Sequence, residues 1–202
     1  MKKRIAVFGG TFDPVHSGHM AVARYTAQQV NLDKIIFLPN GNPPHKDSGE
    51  YADGFHRYNM LVLATESYPS YEVSDYELDG KRHYTYETLE HFKKLYPQCD
   101  VMFIIGADSL DYLDKWHRGE ELIRNNTFIV VNRNFRKGYD FEKNIKKIRD
   151  AGGDIIVVDM PFADISSTEI RADIKQGKKN NMIDLKVEKY IIENKIYCYA
   201  KE

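Results

Sequence analysis

Short apolar, β-branched runs alternating with longer helix-patterned stretches restrict this chain to very few folds. The runs cover residues 4–8, 34–39, 101–105, 127–131 and 154–158, each bounded by glycine, proline or polar residues. A run that is apolar on nearly every residue is what a strand covered on both faces requires. Residues 18–30, 54–67, 85–96 and 140–151 pattern as helices, and Phe141, Ile145 and Ile148 show the i, i+4, i+7 spacing of one helical face. Parallel strands need long crossovers, so this alternation predicts an α/β fold, a Rossmann-like doubly wound parallel sheet with helices on both faces. A short, partly polar run at 71–74 is a weaker strand. After Met160 and Pro161 only helix signals follow, at 166–175 and 184–194, which read as a small C-terminal helical cap.

A chain of 202 residues that is 42% hydrophobic can bury one good core, so residues 1–202 are expected to form a single domain, with 1–160 as its α/β core. No repeat, linker or low-complexity tract interrupts it. Lysine and arginine number 29 against 30 acidic residues, a formal net charge of -1, which argues against a nucleic-acid coat and makes any phosphate recognition local. Cys99 and Cys198 lie far apart and lack zinc-like pairing, as reduced thiols of a cytoplasmic protein would. Four apolar residues after Lys2, Lys3 and Arg4 are too few for a signal peptide. No run approaches the roughly 20 apolar residues that span a bilayer. A soluble cytoplasmic protein without a membrane partner is expected, and a homo-oligomer stays open.

In an open parallel sheet, ligands sit outside the carboxyl ends of the strands. Gly9, Gly10 and Thr11 occupy that place after the first strand. Taken alone they fit two roles, a tight turn or a phosphate cradle in which backbone N–H groups approach closely. The turn lacks the third glycine of a dinucleotide fingerprint, and no strand leads into a Gly-Lys-Ser or Gly-Lys-Thr loop. His16 and His19, three apart at a helix start, can face one space above the glycines and stabilise charge on a transferring phosphoryl group. A metal pair is the alternative, although no third ligand follows by spacing.

The whole string from Gly9 to His19, with its His16-Ser17-Gly18-His19 element, resembles the signature of the nucleotidyltransferase superfamily. The resemblance implies attack by one substrate's phosphate on the α-phosphate of ATP with loss of pyrophosphate and no covalent enzyme intermediate. Such chemistry needs positioning and charge neutralisation more than a nucleophile. Residues 165–171, Ile-Ser-Ser-Thr-Glu-Ile-Arg, are similar to a second element of the family, in which hydroxyls, N–H groups and an arginine hold the outer phosphates. Ser166 and Glu169 also have capping-box spacing, a purely structural role that leaves Arg171 unexplained. Residues 161–202 would thereby complete the ATP site.

Both elements also occur in pantetheine-phosphate adenylyltransferases, so they identify the reaction better than the acceptor. The acceptor side resembles the nicotinate mononucleotide adenylyltransferase family through Pro43-Pro44-His45-Lys46, through Tyr84-Thr85, through Gly106-Ala107-Asp108 and through Trp116. The resemblance implies catalytic roles for His16, His19, Lys46 and Arg171, and ATP contacts from Gly9, Gly10, Thr11, Phe12, Gly18, Gly106, Asp108, Arg133, Ile165, Ser166, Ser167 and Thr168. It implies that Lys46, Thr85, Asp108 and Trp116 receive nicotinate mononucleotide, and that Mg²⁺ is held mainly by the ATP phosphates. Residues 43–53 would be the segment that gates the substrate. Transfer to nicotinamide mononucleotide or phosphopantetheine, or ATP sensing without catalysis, are the alternatives. The chain departs from the family's pattern at His83, at Asn134-Phe135 after Arg133, and at Asp184-Leu185. It also implies a closing helix and strand over residues 187–197.

Overall fold

In a computed structural model, residues 2–41, 51–132, 141–161 and 165–197 are described. Six strands, β1 (Lys3–Gly10), β2 (Lys34–Pro39), β3 (Tyr71–Val73), β4 (Cys99–Gly106), β5 (Thr127–Asn132) and β6 (Asp154–Asp159), form one sheet in the order β3-β2-β1-β4-β5-β6. Every pairing among them is parallel. Among the described residues, seven helices connect or follow them: α1 (Ser17–Val30), α2 (Gly54–Thr65), α3 (Thr85–Leu95), α4 (Gly119–Asn125), α5 (Phe141–Asp150), α6 (Ser167–Lys175) and α7 (Leu185–Glu193).

Alternate side chains of a strand point to opposite faces, and β1 divides accordingly. Ala6 and Phe8 join the core made with Val22 and Ala23 of α1, Met60 and Leu61 of α2, Ile170 of α6 and Val187 of α7. Ile5 and Val7 join the opposite core, made with Leu89 of α3, Ile123 of α4 and Ile145 of α5. The expected helical cap is therefore continuous with one layer, since α6 and α7 lie on the same face as α1 and α2.

Local chemistry sets several helix ends. Asp53 accepts from the Phe55 N–H at 2.8 Å to start α2, and Asp184 accepts from the Lys186 N–H at 2.8 Å to start α7. The departure at Asp184 thus supplies a cap. Helix α1 stops at Asn31, whose φ of 54° is a left-handed conformation that asparagine tolerates well.

The weak strand at 71–74 is present as β3 on the sheet edge. Helix α4 was not expected, because its seven residues carry only an adjacent Leu122 and Ile123 and no helical stripe. Two short 3₁₀ turns, Ala107–Asp111 and Leu113–Lys115, precede it. The strand expected to close residues 187–197 is instead a turn after α7, with Lys195 and Tyr197 at positive φ of 52° and 62°.

Ile129 is 0% exposed in β5, on the face shared by α1 and α6. Ile129→Ala is expected to lower the unfolding free energy by about 2–5 kcal/mol, from lost burial and a residual cavity, as measured by urea denaturation.

Candidate active site

The strand order reverses at β1, which is bonded to β2 on one side and β4 on the other. Crossovers leaving from the two sides of such a point open a crevice at the carboxyl ends of the strands. Gly9 and Gly10 end β1 there, each with an aromatic ring close over it. A Cβ on Gly9 would lie 3.3 Å from the Phe103 ring, and one on Gly10 would lie 3.0 Å from the Phe12 ring. Phe12, expected among the nucleotide contacts, is 1% exposed and holds the turn from beneath. Its ring packs edge-on against Phe8 at 5.3 Å and His19 at 4.9 Å.

His16 and His19 come together as the spacing predicts. Their ring centroids are 3.7 Å apart with a 30° tilt. His16 is the N-cap residue of α1 and only 6% exposed. A Cβ on Gly18 would stand 3.0 Å from the His16 ring, so the glycine between the histidines provides the room in which His16 lies. The Nδ1 of His19 accepts the backbone N–H of His16 at 3.3 Å. An accepting Nδ1 leaves the proton of a neutral imidazole on Nε2, which makes that nitrogen a donor to an anion.

Helix α6 begins beside α1. A Cβ on Gly18 would sit 3.5 Å from the Cβ of Ile165, and the Ser167 hydroxyl donates to the Pro14 carbonyl at 3.4 Å. Ser166 makes no side-chain cap, so the capping box with Glu169 is not formed. Arg171 donates from Nη1 to the Asp13 carbonyl at 2.7 Å and lies 3.5 Å from its carboxylate. Its Nη2 donates to the Thr168 hydroxyl at 3.3 Å, and the guanidinium stands over the Tyr51 ring at 5.0 Å. Two helix N-termini and a histidine pair thus converge on one turn, and each helix start favours negative charge.

Asp13 is the knot behind this arrangement. Its Oδ1 accepts the Tyr197 hydroxyl at 2.6 Å and the Ala52 N–H at 3.0 Å. Burial pushes its carboxyl above the ordinary range, opposed by those two hydrogen bonds and by Arg171 and Arg57. Sequence reading missed Asp13 and Tyr197 because 184 residues separate them. It also missed Arg57, whose signal was a charged residue on the same buried stripe of α2 as Met60 and Leu61.

On the other side of the turn lies a cleft of 580 Å³ lined by Asn40, Gly41, Glu77, Thr85 and Trp116. The Asn40 N–H donates to the Gly10 carbonyl at 3.0 Å, which joins the cleft wall to the turn. Thr88 of α3 donates its hydroxyl to Glu77 at 2.7 Å, and burial raises the Glu77 carboxyl despite that bond. Lys81, Arg82 and Lys115 are exposed around the same cleft. The departure at His83 forms its own paired turn. Its Nε2 meets Asp79 at 2.7 Å, and the hydrogen bonds from His83 and the Lys81 N–H pull the Asp79 carboxyl down to about 2.

At the end of β4 a Cβ on Gly106 would lie 2.6 Å from Asp108 Oδ1, the tip of an exposed side chain that folds back over the glycine. Lys46 and Arg133, and residues 43–50 of the expected gating segment, lie outside the described residues. Among the described residues, no group of three or more His, Cys, Asp or Glu side chains could hold a metal ion, and no helix is long and apolar enough to cross a membrane.

A cytidylyltransferase-like family model matches residues 7–173. The chain is 40% identical over 198 residues to the nicotinate-nucleotide adenylyltransferase of Bacillus subtilis (strain 168), covering 96% of this chain and 98% of that protein. It is 43% identical over 183 residues to the probable nicotinate-nucleotide adenylyltransferase of Clostridium tetani, covering 88% and 90%. In fold it matches the Plasmodium falciparum nicotinic acid mononucleotide adenylyltransferase complexed with NaAD, with a TM-score of 0.80 at 24% identity over 96% of this chain and 97% of that one. Sequence relatives that span nearly its full length, over a fold that leaves its histidine turn at the strand-order reversal, establish that this chain belongs to the nicotinate-nucleotide adenylyltransferases of the cytidylyltransferase-like family.

Proposed function

We propose that the chain transfers the AMP moiety of ATP to nicotinate mononucleotide, giving nicotinate adenine dinucleotide and pyrophosphate in NAD biosynthesis. The observation that carries this reading is the convergence of the starts of α1 and α6 with the His16–His19 pair on the β1 turn, beside a cleft that presents Thr85 and Trp116. The full-length relatives bear the same activity in their names.

An oxygen of the mononucleotide phosphate attacks the α-phosphorus of ATP. One phosphorus–oxygen bond forms, the bond to the β-phosphate oxygen breaks, and its electron pair leaves on pyrophosphate. No protein nucleophile is required. The His19 Nε2–H donates to the α-phosphate as charge builds on it, and the stacked His16 ring keeps that imidazole in place. Gly9, Gly10, Thr11 and Gly18 cradle the phosphates, with Gly106, Asp108, Arg133 and Ile165 on the rest of the nucleotide. Ser166, Ser167, Thr168 and Arg171 receive the departing pyrophosphate at the start of α6. Lys46 pairs with the acceptor phosphate, while Thr85 and Trp116 hold its ring. Mg²⁺ enters with ATP as part of the substrate and supplies charge neutralisation between phosphates. An enzyme fed by ATP and a phosphorylated mononucleotide works in the cytoplasm, where both are retained.

Incubation with MgATP and each of nicotinate mononucleotide, nicotinamide mononucleotide and phosphopantetheine is expected to release pyrophosphate fastest with the first; a faster reaction with either of the others overturns the acceptor assignment. His19→Ala is expected to lower kcat by about 100- to 1,000-fold, the usual effect of losing one transition-state donor, in a protein that still melts cooperatively. Gly18→Ala pushes a methyl against the His16 ring, and misplacement of that kind lowers kcat by up to about 100-fold. Alanine is also the better helix former by about 1 kcal/mol, so a parallel thermal melt separates the rate loss from any loss of fold.

A further inference from the structure

Arg57, in the first turn of α2, is 2% exposed and holds no carboxylate in an ion pair among the described residues. It spends its donors on backbone carbonyls. Nε donates to Ala52 at 3.0 Å, Nη1 to Thr11 at 2.8 Å, and Nη2 to Asn40 at 2.6 Å and Gly41 at 3.3 Å. These acceptors come from three separate stretches of chain. Thr11 belongs to the turn that cradles the donor nucleotide, and Asn40 and Gly41 form a wall of the acceptor cleft.

That wall has no slack. A Cβ on Gly41 would lie 2.0 Å from the Glu77 carbonyl oxygen, so backbone meets backbone directly. Glu77 accepts the Thr88 hydroxyl at 2.7 Å, three residues past Thr85 in α3. Contact therefore runs without interruption from Thr11 through the guanidinium to Gly41, and from there to the helix start that faces the acceptor ring. A planar guanidinium offers five N–H donors in a fixed fork, whereas an ammonium offers three donors from one point and cannot span both carbonyl groups.

We propose that Arg57 is a positioning residue for the transfer, setting the separation between the donor-nucleotide turn and the acceptor cleft without touching either substrate. The proposal rests on the assignment of those two subsites made above. It predicts a loss that appears in turnover and not in the binding of either substrate by itself.

The test compares the full chain with Arg57→Lys, which keeps the charge and loses the fork, and Arg57→Met, which loses both. Steady-state kcat, calorimetric Kd for nicotinate mononucleotide and for a non-hydrolysable ATP analogue, and thermal melts are measured for each. Both variants are expected to melt cooperatively and to bind each ligand within about threefold of the parent, with kcat reduced by about 30- to 100-fold in the two alike. A kcat for R57K within threefold of the parent overturns the proposal, as does a rate loss matched by weakened binding of one ligand alone. If neither variant folds, Gly41→Ala disturbs the same wall from its far side. A reduced kcat with unchanged affinity for the ATP analogue then sustains the proposal, and an unchanged kcat overturns it. Failure of the parent chain to form the dinucleotide would overturn the subsite assignment first and the proposal with it, whereas a parent that turns over and an R57K that matches it overturns the proposal alone.

Discussion

Everything at this site depends on β1 being hydrogen-bonded to parallel neighbours on both sides. A parallel neighbour can be reached only by a crossover, and the crossovers from a strand in this position leave on opposite sides. The carboxyl end of β1 is therefore the place where nothing covers the sheet edge. Backbone groups there cannot pair with a further strand, and turns and helix starts take up the space. The parts proposed to handle phosphate gather at this edge because that is where unpaired donors and helix N-termini occur together.

Filling such an edge with polar groups carries a cost that the structure meets by close pairing. Asp13, Arg57 and Arg171 are all buried, and an uncompensated buried charge is worth several kcal/mol against folding. Each is held chiefly by uncharged partners: hydroxyl and N–H for Asp13 Oδ1, carbonyls for Arg57, a carbonyl and a hydroxyl for Arg171, while Asp13 Oδ2 accepts no hydrogen bond among the described residues and faces Arg171 at 3.5 Å. Hydrogen bonds of this kind are directional, so satisfying the charges also fixes the turns that supply the carbonyls. Stability and placement come from the same contacts. The raised carboxyl of Asp13 shows that burial outweighs those contacts in setting its ionisation, although Tyr197, Ala52 and two arginines all favour the charged form.

The strands were legible in sequence because a strand buried on both faces needs apolar residues at every position, and that need leaves a mark on contiguous residues. The histidine pair was legible for a similar reason, since both members and the intervening glycine lie within one turn of α1. Helix α4 was not, because two adjacent buried side chains carry no period. Asp13 and Tyr197 were hidden by distance along the chain, and Arg57 by direction: a charged residue on a buried stripe says that it needs acceptors without saying where they are. The tautomer of His19 depends on a hydrogen bond between its own Nδ1 and a backbone N–H, which spacing permits but does not specify.

The division of labour across the turn also accounts for a chain whose signature names a reaction more firmly than a recipient. The proposed donor half is made of helix starts and of glycines whose missing side chains are filled by neighbours: Phe12 against Gly10, His16 against Gly18. Change there collides with the machinery itself. The proposed acceptor half is made of the segments that follow β2, β3 and β4, and its rim carries exposed residues such as Lys81, Arg82 and Lys115, where replacement displaces little. His83 illustrates the freedom, for it is paired with Asp79 without disturbing Thr85 or Trp116 as walls of the cleft. A transfer centre beside a replaceable wall can serve different phosphate acceptors, provided that the wall stays at a fixed distance from the turn, and in the proposal made here that is the task of the Arg57 fork, which joins Thr11 to Asn40 where Gly41 meets the Glu77 backbone.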